Sequence, residues 1–152
     1  MSQVAQFEVY DAYVLFGDYA NGKERPIVVA SVQDFDEYFT GHAIYSKTSW
    51  WEKYPEIYDL LYQIQDYEYA GLQYDSYLDL SSLDAYGKER YFSITPRGRL
   101  SDRDILGVLE ASIRFEELYE KESVDNPTRI LEYRALYEYS LDFGTTPGNH
   151  SQ

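Results

Sequence analysis

Two stretches decide the fold class: Val9–Phe16, VYDAYVLF, and, after a polar interval, Lys23–Ser31, KERPIVVAS. The first is rich in β-branched and aromatic residues, which fit a pleated, half-buried surface, and it reads as a strand. Residues 17–25 are polar and include Gly17 and Gly22, so they read as a loop. Pro26–Ser31 reads as a short buried strand, with the proline at its first residue, where no ladder hydrogen bond is lost. Val32–Phe39 is expected to be a turn or a short helix.

Further along, His42–Thr48 is a third strand candidate. Trp50–Gln65 is mixed, and Pro55 breaks any long element there. Gly71 interrupts the chain again. Tyr77–Leu80 and Tyr91–Thr95 read as two more short strands. The period then changes. Ser101 is a good helix N-cap, and Asp102 and Asp104 place negative charge in the first turn, where the helix dipole favours it. Ile105, Leu106, Leu109 and Ile113 form an apolar stripe at helical spacing, predicting a helix to about Lys121. Asn126–Pro127 is a second start signal. Ile130, Tyr133, Tyr137 and Leu141 give that helix an apolar face, and Gly144 and Pro147 end it. Strands first and helices after predict an α+β class: a small curled antiparallel sheet or half-barrel with C-terminal helices. The length predicts a single domain over 1–152, with a core at 8–121, an additional helix at 126–143 and a disordered tail at 145–152.

The chain has no cysteine, which excludes thiol catalysis, thiolate metal sites and disulfides. No apolar run approaches the roughly 18 residues of a membrane span. Met1–Val9 lacks a basic region followed by an apolar run, so no signal peptide is expected and a cytoplasmic location is. Tyrosine is unusually frequent, at 18 residues, and suits half-buried sheet faces and interaction surfaces alike. The formal net charge of −14 repels nucleic acid at long range and favours a cationic partner. Against this, Lys88, Arg90, Arg97, Arg99 and Arg103 fall close together and offer a local basic surface.

Three segments resemble the MazF/PemK family of bacterial toxins. The first is the strand Asp11–Phe16, a glycine-containing loop, and then Lys23-Glu24-Arg25-Pro26-Ile27-Val28-Val29; the family carries Arg-Pro at this junction. The second is Ala43-Ile44-Tyr45-Ser46-Lys47-Thr48-Ser49, where the family has a strand ending in Thr-Ser. The third is Ala70-Gly71-Leu72 with Ser76-Tyr77-Leu78, followed by Gly98-Arg99-Leu100-Ser101-Asp102-Arg103-Asp104-Ile105. The resemblance implies an SH3-like barrel and a homodimeric endoribonuclease neutralised by a protein antitoxin. Such an enzyme cuts single-stranded RNA without metal or other cofactor, leaving 2′,3′-cyclic phosphate and 5′-OH ends. It implies Arg25 and Thr48 as the catalytic pair, with Arg25 stabilising phosphorane charge through its fixed fork of donors. Lys23, Ser46, Lys47, Ser49 and Trp50 would bind RNA or support the pair.

The chain departs from the family in three ways. It is longer, it has few basic residues over Trp50–Gln65, and it is far more acidic. These departures support an alternative: a catalytically inactive acidic protein-binding module of the same fold. Plainer roles also exist for individual residues. Arg25 fits an ordinary ion pair, Thr48 a strand end, and Trp50 with Trp51 a core or interface. His42 and His150 do not form an acid–base pair by position. Asp34, Asp36 and Glu37 resemble half a metal site, but carboxylates on a polar connection read as solvated.

Overall fold

A computed structural model describes residues 3–15, 22–46, 60–91 and 93–125. They build a curled antiparallel half-barrel with one C-terminal helix. The strands are β1 (Glu8–Leu15), β2 (Gly22–Val32), β3 (Tyr38–Ser46), β4 (Leu61–Gln63), β5 (Ser76–Asp79), β6 (Asp84–Gly87) and β7 (Gly98–Arg99), and the helix is α1 (Asp102–Asp125). The sheet order is β4-β5-β3-β2-β1-β7, with β6 also pairing β3. The second predicted helix and the tail lie outside the described residues. Among the described residues no helix is long and apolar enough to cross a membrane.

The unbroken apolar run in β2 has a direct cause. Side chains alternate across a strand, and here both faces are covered. Ile27 and Val29 join Tyr10, Ala12, Phe39, Ala43, Tyr45 and Tyr77 on one face. Val28 joins Val9, Ile44, Leu78, Leu100 and the α1 residues Val108 and Ala111 on the other. Tyrosine supplies much of the first face. Tyr91 meets Tyr10 and Phe39 edge-on, each at 5.3 Å between ring centroids.

β2 is longer than its sequence suggests. Lys23, Glu24 and Arg25 are strand residues, paired with Val14, Tyr13 and Ala12 of β1. The polar segment is held extended by a complete neighbouring strand, which overrides its loop-like composition. Pro26 is accordingly not the first strand residue. The Val29 carbonyl faces β1, where it accepts from Phe7 N, and the Val28 carbonyl lies beside Gly41 of β3. By alternation the Pro26 nitrogen faces the β3 side, and β2–β3 pairing already stops at Ile27↔Ala43. The proline therefore sits where β3 leaves β2 and continues with β5 at Ile44↔Leu78.

The opposite edge of β3 has a gap of its own. β6 covers Tyr38–Gly41 and β5 covers Ile44–Ser46, so His42 faces the turn between them. Its Nδ1 lies 2.5 Å from the Ser82 carbonyl and fills the interrupted ladder, as an N–H donor to that oxygen. Burial holds its pKa below 6.5, outweighing the carbonyls of Ser82 and Asp79, which act the other way. Between the lowered folded value and 6.5 the unfolded chain binds more protons, so stability rises with pH there. The expected result is a urea midpoint that falls as pH drops below 6.5. His42→Gln should flatten this fall. Asp66, whose carboxyl is lowered by hydrogen bonds from Arg103 and Ser101, acts in a separate window: its contribution is lost only as pH falls below 3.8.

Two sequence expectations are corrected and one is narrowed. Among the described residues of Tyr91–Thr95 none is in a strand; Lys88–Tyr91 forms a single 3₁₀ turn. The aromatic contacts of Tyr91 draw it inward, and Pro96 ends the segment before a ladder can form. Of the two readings of Val32–Phe39, the turn holds and the short helix does not: it joins β2 to β3, with Asp36 N donating to the Gln33 carbonyl at 3.1 Å. The stripe of α1 is misphased except at Ile105, which packs against the core. Leu106, Leu109 and Ile113 are exposed, while Asp104, Val108 and Ala111 are buried and Phe115 packs against them. The buried carboxylate of Asp104 sets the helix rotation, and residues four, seven and eleven positions on follow it inward.

Candidate functional site

Arg25 lies on the face of β2 that also carries Ile27 and Val29, and only 4% of it is exposed. Its guanidinium carbon sits 4.7 Å from the centroid of the Tyr45 ring, a cation–π contact across the strands. Lys23 is two residues away on the same strand, so both side chains share one face. Burial, and the Arg25 charge beside it, hold the Lys23 ammonium below the usual lysine range. Ser46 ends β3, half-buried, one residue after Tyr45.

The structure thus brings together Lys23, Arg25 and the end of β3. Lys47, Thr48, Ser49 and Trp50 lie outside the described residues. Tyr45 was not singled out in the sequence, although its alternation with Ala43 on β3 placed it on an inward face. An arginine so enclosed can orient groups at the edge of the core, and its charge faces an aromatic ring that attracts it.

The basic run Lys88–Arg103 does not form one surface of free cations. The Arg97 guanidinium donates to Asp11 at 2.9 Å, and Arg103 donates to Asp66 at 2.5 Å. Lys88 Nζ donates to the Gln33 carbonyl. Lys88 and Arg90 sit on a 3₁₀ turn, Arg97 just before β7, Arg99 on β7 and Arg103 at the start of α1, and of these Arg90, Arg99 and the Asp66-paired Arg103 are exposed.

A second region gathers acids. The β2–β3 turn and the end of β6 enclose a cavity of about 660 Å³, lined by Asp34, Asp36, Glu37 and Glu89 together with Phe35 and Tyr38. The three carboxylates of the turn are those weighed above as half a metal site. Among the described residues no group of three or more histidines, cysteines or acids is placed to hold a metal ion. What the sequence did not signal is that Phe35 projects into water, 88% exposed, in their midst. No family model matches the chain, and no curated protein matches it.

Proposed function

We propose that this chain is an acidic protein-binding domain, built on a small barrel of the SH3-like kind, that recognises a cationic partner and does not cut RNA. The observation that carries this reading is where the cations go. Arg25, the residue matched to phosphate stabilisation, is packed under Tyr45. Arg97 and Arg103 are neutralised by acids, and Lys88 is drawn to a backbone carbonyl. With a net charge of −14, the protein repels a polyanion and steers a polycation towards itself. Mixed-sequence RNA incubated with the purified protein in EDTA is expected to stay intact. It should also fail to be retained at low salt, while a basic peptide is retained.

A second reading is the MazF/PemK-like one: a metal-independent endoribonuclease toxin, dimeric and held by an antitoxin. The side-by-side arrangement of Lys23 and Arg25, next to the strand that leads to Thr48, favours it. Under this reading the same incubation yields fragments with 5′-OH ends. Arg25→Ala would then lose on the order of a hundredfold in rate, as removal of one preorganised charge stabiliser does. Cleavage that persists in EDTA and collapses in that variant overturns the binding-domain proposal.

A further inference from the structure

We infer that the cavity between the β2–β3 turn and the end of β6 seats a lysine or arginine side chain from a basic segment of a partner protein; this rests on the reading of the chain as an acidic binding domain. The chemistry of the lining is layered. Val4 is buried and Val32 half-buried, so the inner part is apolar. Asp34, Asp36, Glu37 and Glu89 are exposed and form the outer part. Phe35 and Tyr38, 88% and 55% exposed, add aromatic rings to the same lining. A long basic side chain has the matching layers: an apolar stem and a cationic tip. Aromatic faces and carboxylates both attract that tip, the first through the ring quadrupole. Four carboxylates against one lining cation, Lys88, leave the cavity net negative, so an anionic ligand would be repelled.

The cavity is also preformed. Lys88 bridges its two walls: its backbone N donates to the Glu37 carbonyl at 2.9 Å, and its Nζ donates to the Gln33 carbonyl. The turn itself is fixed by Tyr38 N donating to Asp36 Oδ1 at 3.1 Å. Little ordering is then needed on binding, which leaves more of the interaction as affinity. An exposed phenylalanine at the tip of a turn contributes nothing to the core. A partner that covers it recovers its apolar area.

The test is fluorescence anisotropy with fluorescein-labelled hexalysine at about 0.05 M salt, where screening of exposed charges is weak. The fully acetylated peptide, which keeps the stems and loses the charge, serves as comparison. Hexalysine should bind and the acetylated form should not. Asp34→Asn combined with Glu37→Gln leaves the Asp36 turn intact and should weaken binding about tenfold, two rim charges being lost. Phe35→Ala should weaken it about threefold, the loss of one exposed cation–π face. Glu116→Gln with Glu117→Gln, on the exposed side of α1, removes the same formal charge and should change affinity by less than about twofold if the cavity is the seat. Equal weakening by the two double variants would mean attraction to overall charge; it overturns the cavity and spares the binding-domain reading. Absence of hexalysine binding to the unaltered protein overturns both.

Discussion

Asp104→Ala is expected to destabilise the protein by about 3 kcal/mol or more, because it strands several enclosed donors at once. Asp104 has no exposed surface. Its Oδ1 accepts from the Tyr62 hydroxyl at 2.7 Å and from Gln65 N at 2.8 Å, and its Oδ2 accepts from Asp66 N at 2.8 Å. One side chain in the first turn of α1 therefore holds the segment after β4. Ser101 completes the junction: its Oγ accepts from Asp104 N at 3.2 Å and donates to Asp66 Oδ2 at 2.6 Å. Removing the carboxylate leaves two backbone N–H groups and a phenol without their acceptor, and it frees the helix rotation that Asp104 fixes. Asp104→Asn keeps one acceptor oxygen but aims an amide donor at another donor, so about half the loss is expected. Urea unfolding followed by circular dichroism measures both. A midpoint for the alanine variant within error of the unaltered protein would show that α1 is placed by its apolar contacts instead. Tyr62 gives a second reading of the same junction. Burial, then its bond to Asp104, pushes its phenol above the ordinary tyrosine range, and the alanine variant should bring it down.

The fold class was legible because it depends on coarse signals. Val9–Phe16 and Ile27–Ala30 are strongly β-prone, the period changes at Ser101, and strands precede the helix. The short strands β4, β6 and β7 were not legible. Each is between two and four residues long, and each exists because a longer neighbour offers a free edge. Asp84–Gly87, DAYG, carries no strand pattern of its own; it pairs with Tyr38–Gly41 because β5 has already brought the chain alongside β3. The phase of α1 was misread for a related reason. Hydrophobic periodicity assumes that the core side of a helix is apolar, and here a satisfied carboxylate occupies its first inward position.

The candidate site was legible in part. Alternation along β2 correctly implies that Lys23 and Arg25 share a face, once the strand is known to extend past Pro26. How deeply Arg25 is enclosed depends on Tyr45, 20 positions away in the sequence, and no local pattern encodes that contact. The acidic turn shows the opposite case. Asp34, Asp36 and Glu37 were visible as a cluster, but the cavity that gives them meaning needs the end of β6, and Lys88 just after it, to close the other wall. Charge in a sequence states how much; only the fold states against what.

Gly71→Ala is expected to cost about 3 kcal/mol or more, as backbone strain and a backbone clash act together. The segment before it closes as a Schellman motif. Leu72 N donates to the Tyr67 carbonyl at 3.0 Å, and Gly71 N donates to the Glu68 carbonyl at 3.0 Å. That motif requires a left-handed residue at the glycine position, and Gly71 has φ of 82°. The motif also carries its usual apolar contact, since Leu72 and Tyr67 belong to one cluster. The second cost is steric. A Cβ at Gly71 would fall on the Arg97 carbonyl, 2.7 Å from its carbon, and a Cβ at Gly98 would fall 2.6 Å from the Ala70 carbonyl carbon. The two glycines thus let two backbones touch, and the contact presses β7 against β1, where Val9 pairs with Gly98. Gly71→Asn separates the two causes, because asparagine tolerates the left-handed region yet carries a Cβ. If the clash dominates, the asparagine variant is nearly as unstable as the alanine one. If strain dominates, it recovers most of the loss. The backbone atoms on the far side cannot swing away as a flexible side chain would, so the first outcome is expected. Gly87→Ala, whose Cβ would meet only the Tyr38 ring at 3.8 Å, is the matched control and should leave the urea midpoint almost unchanged.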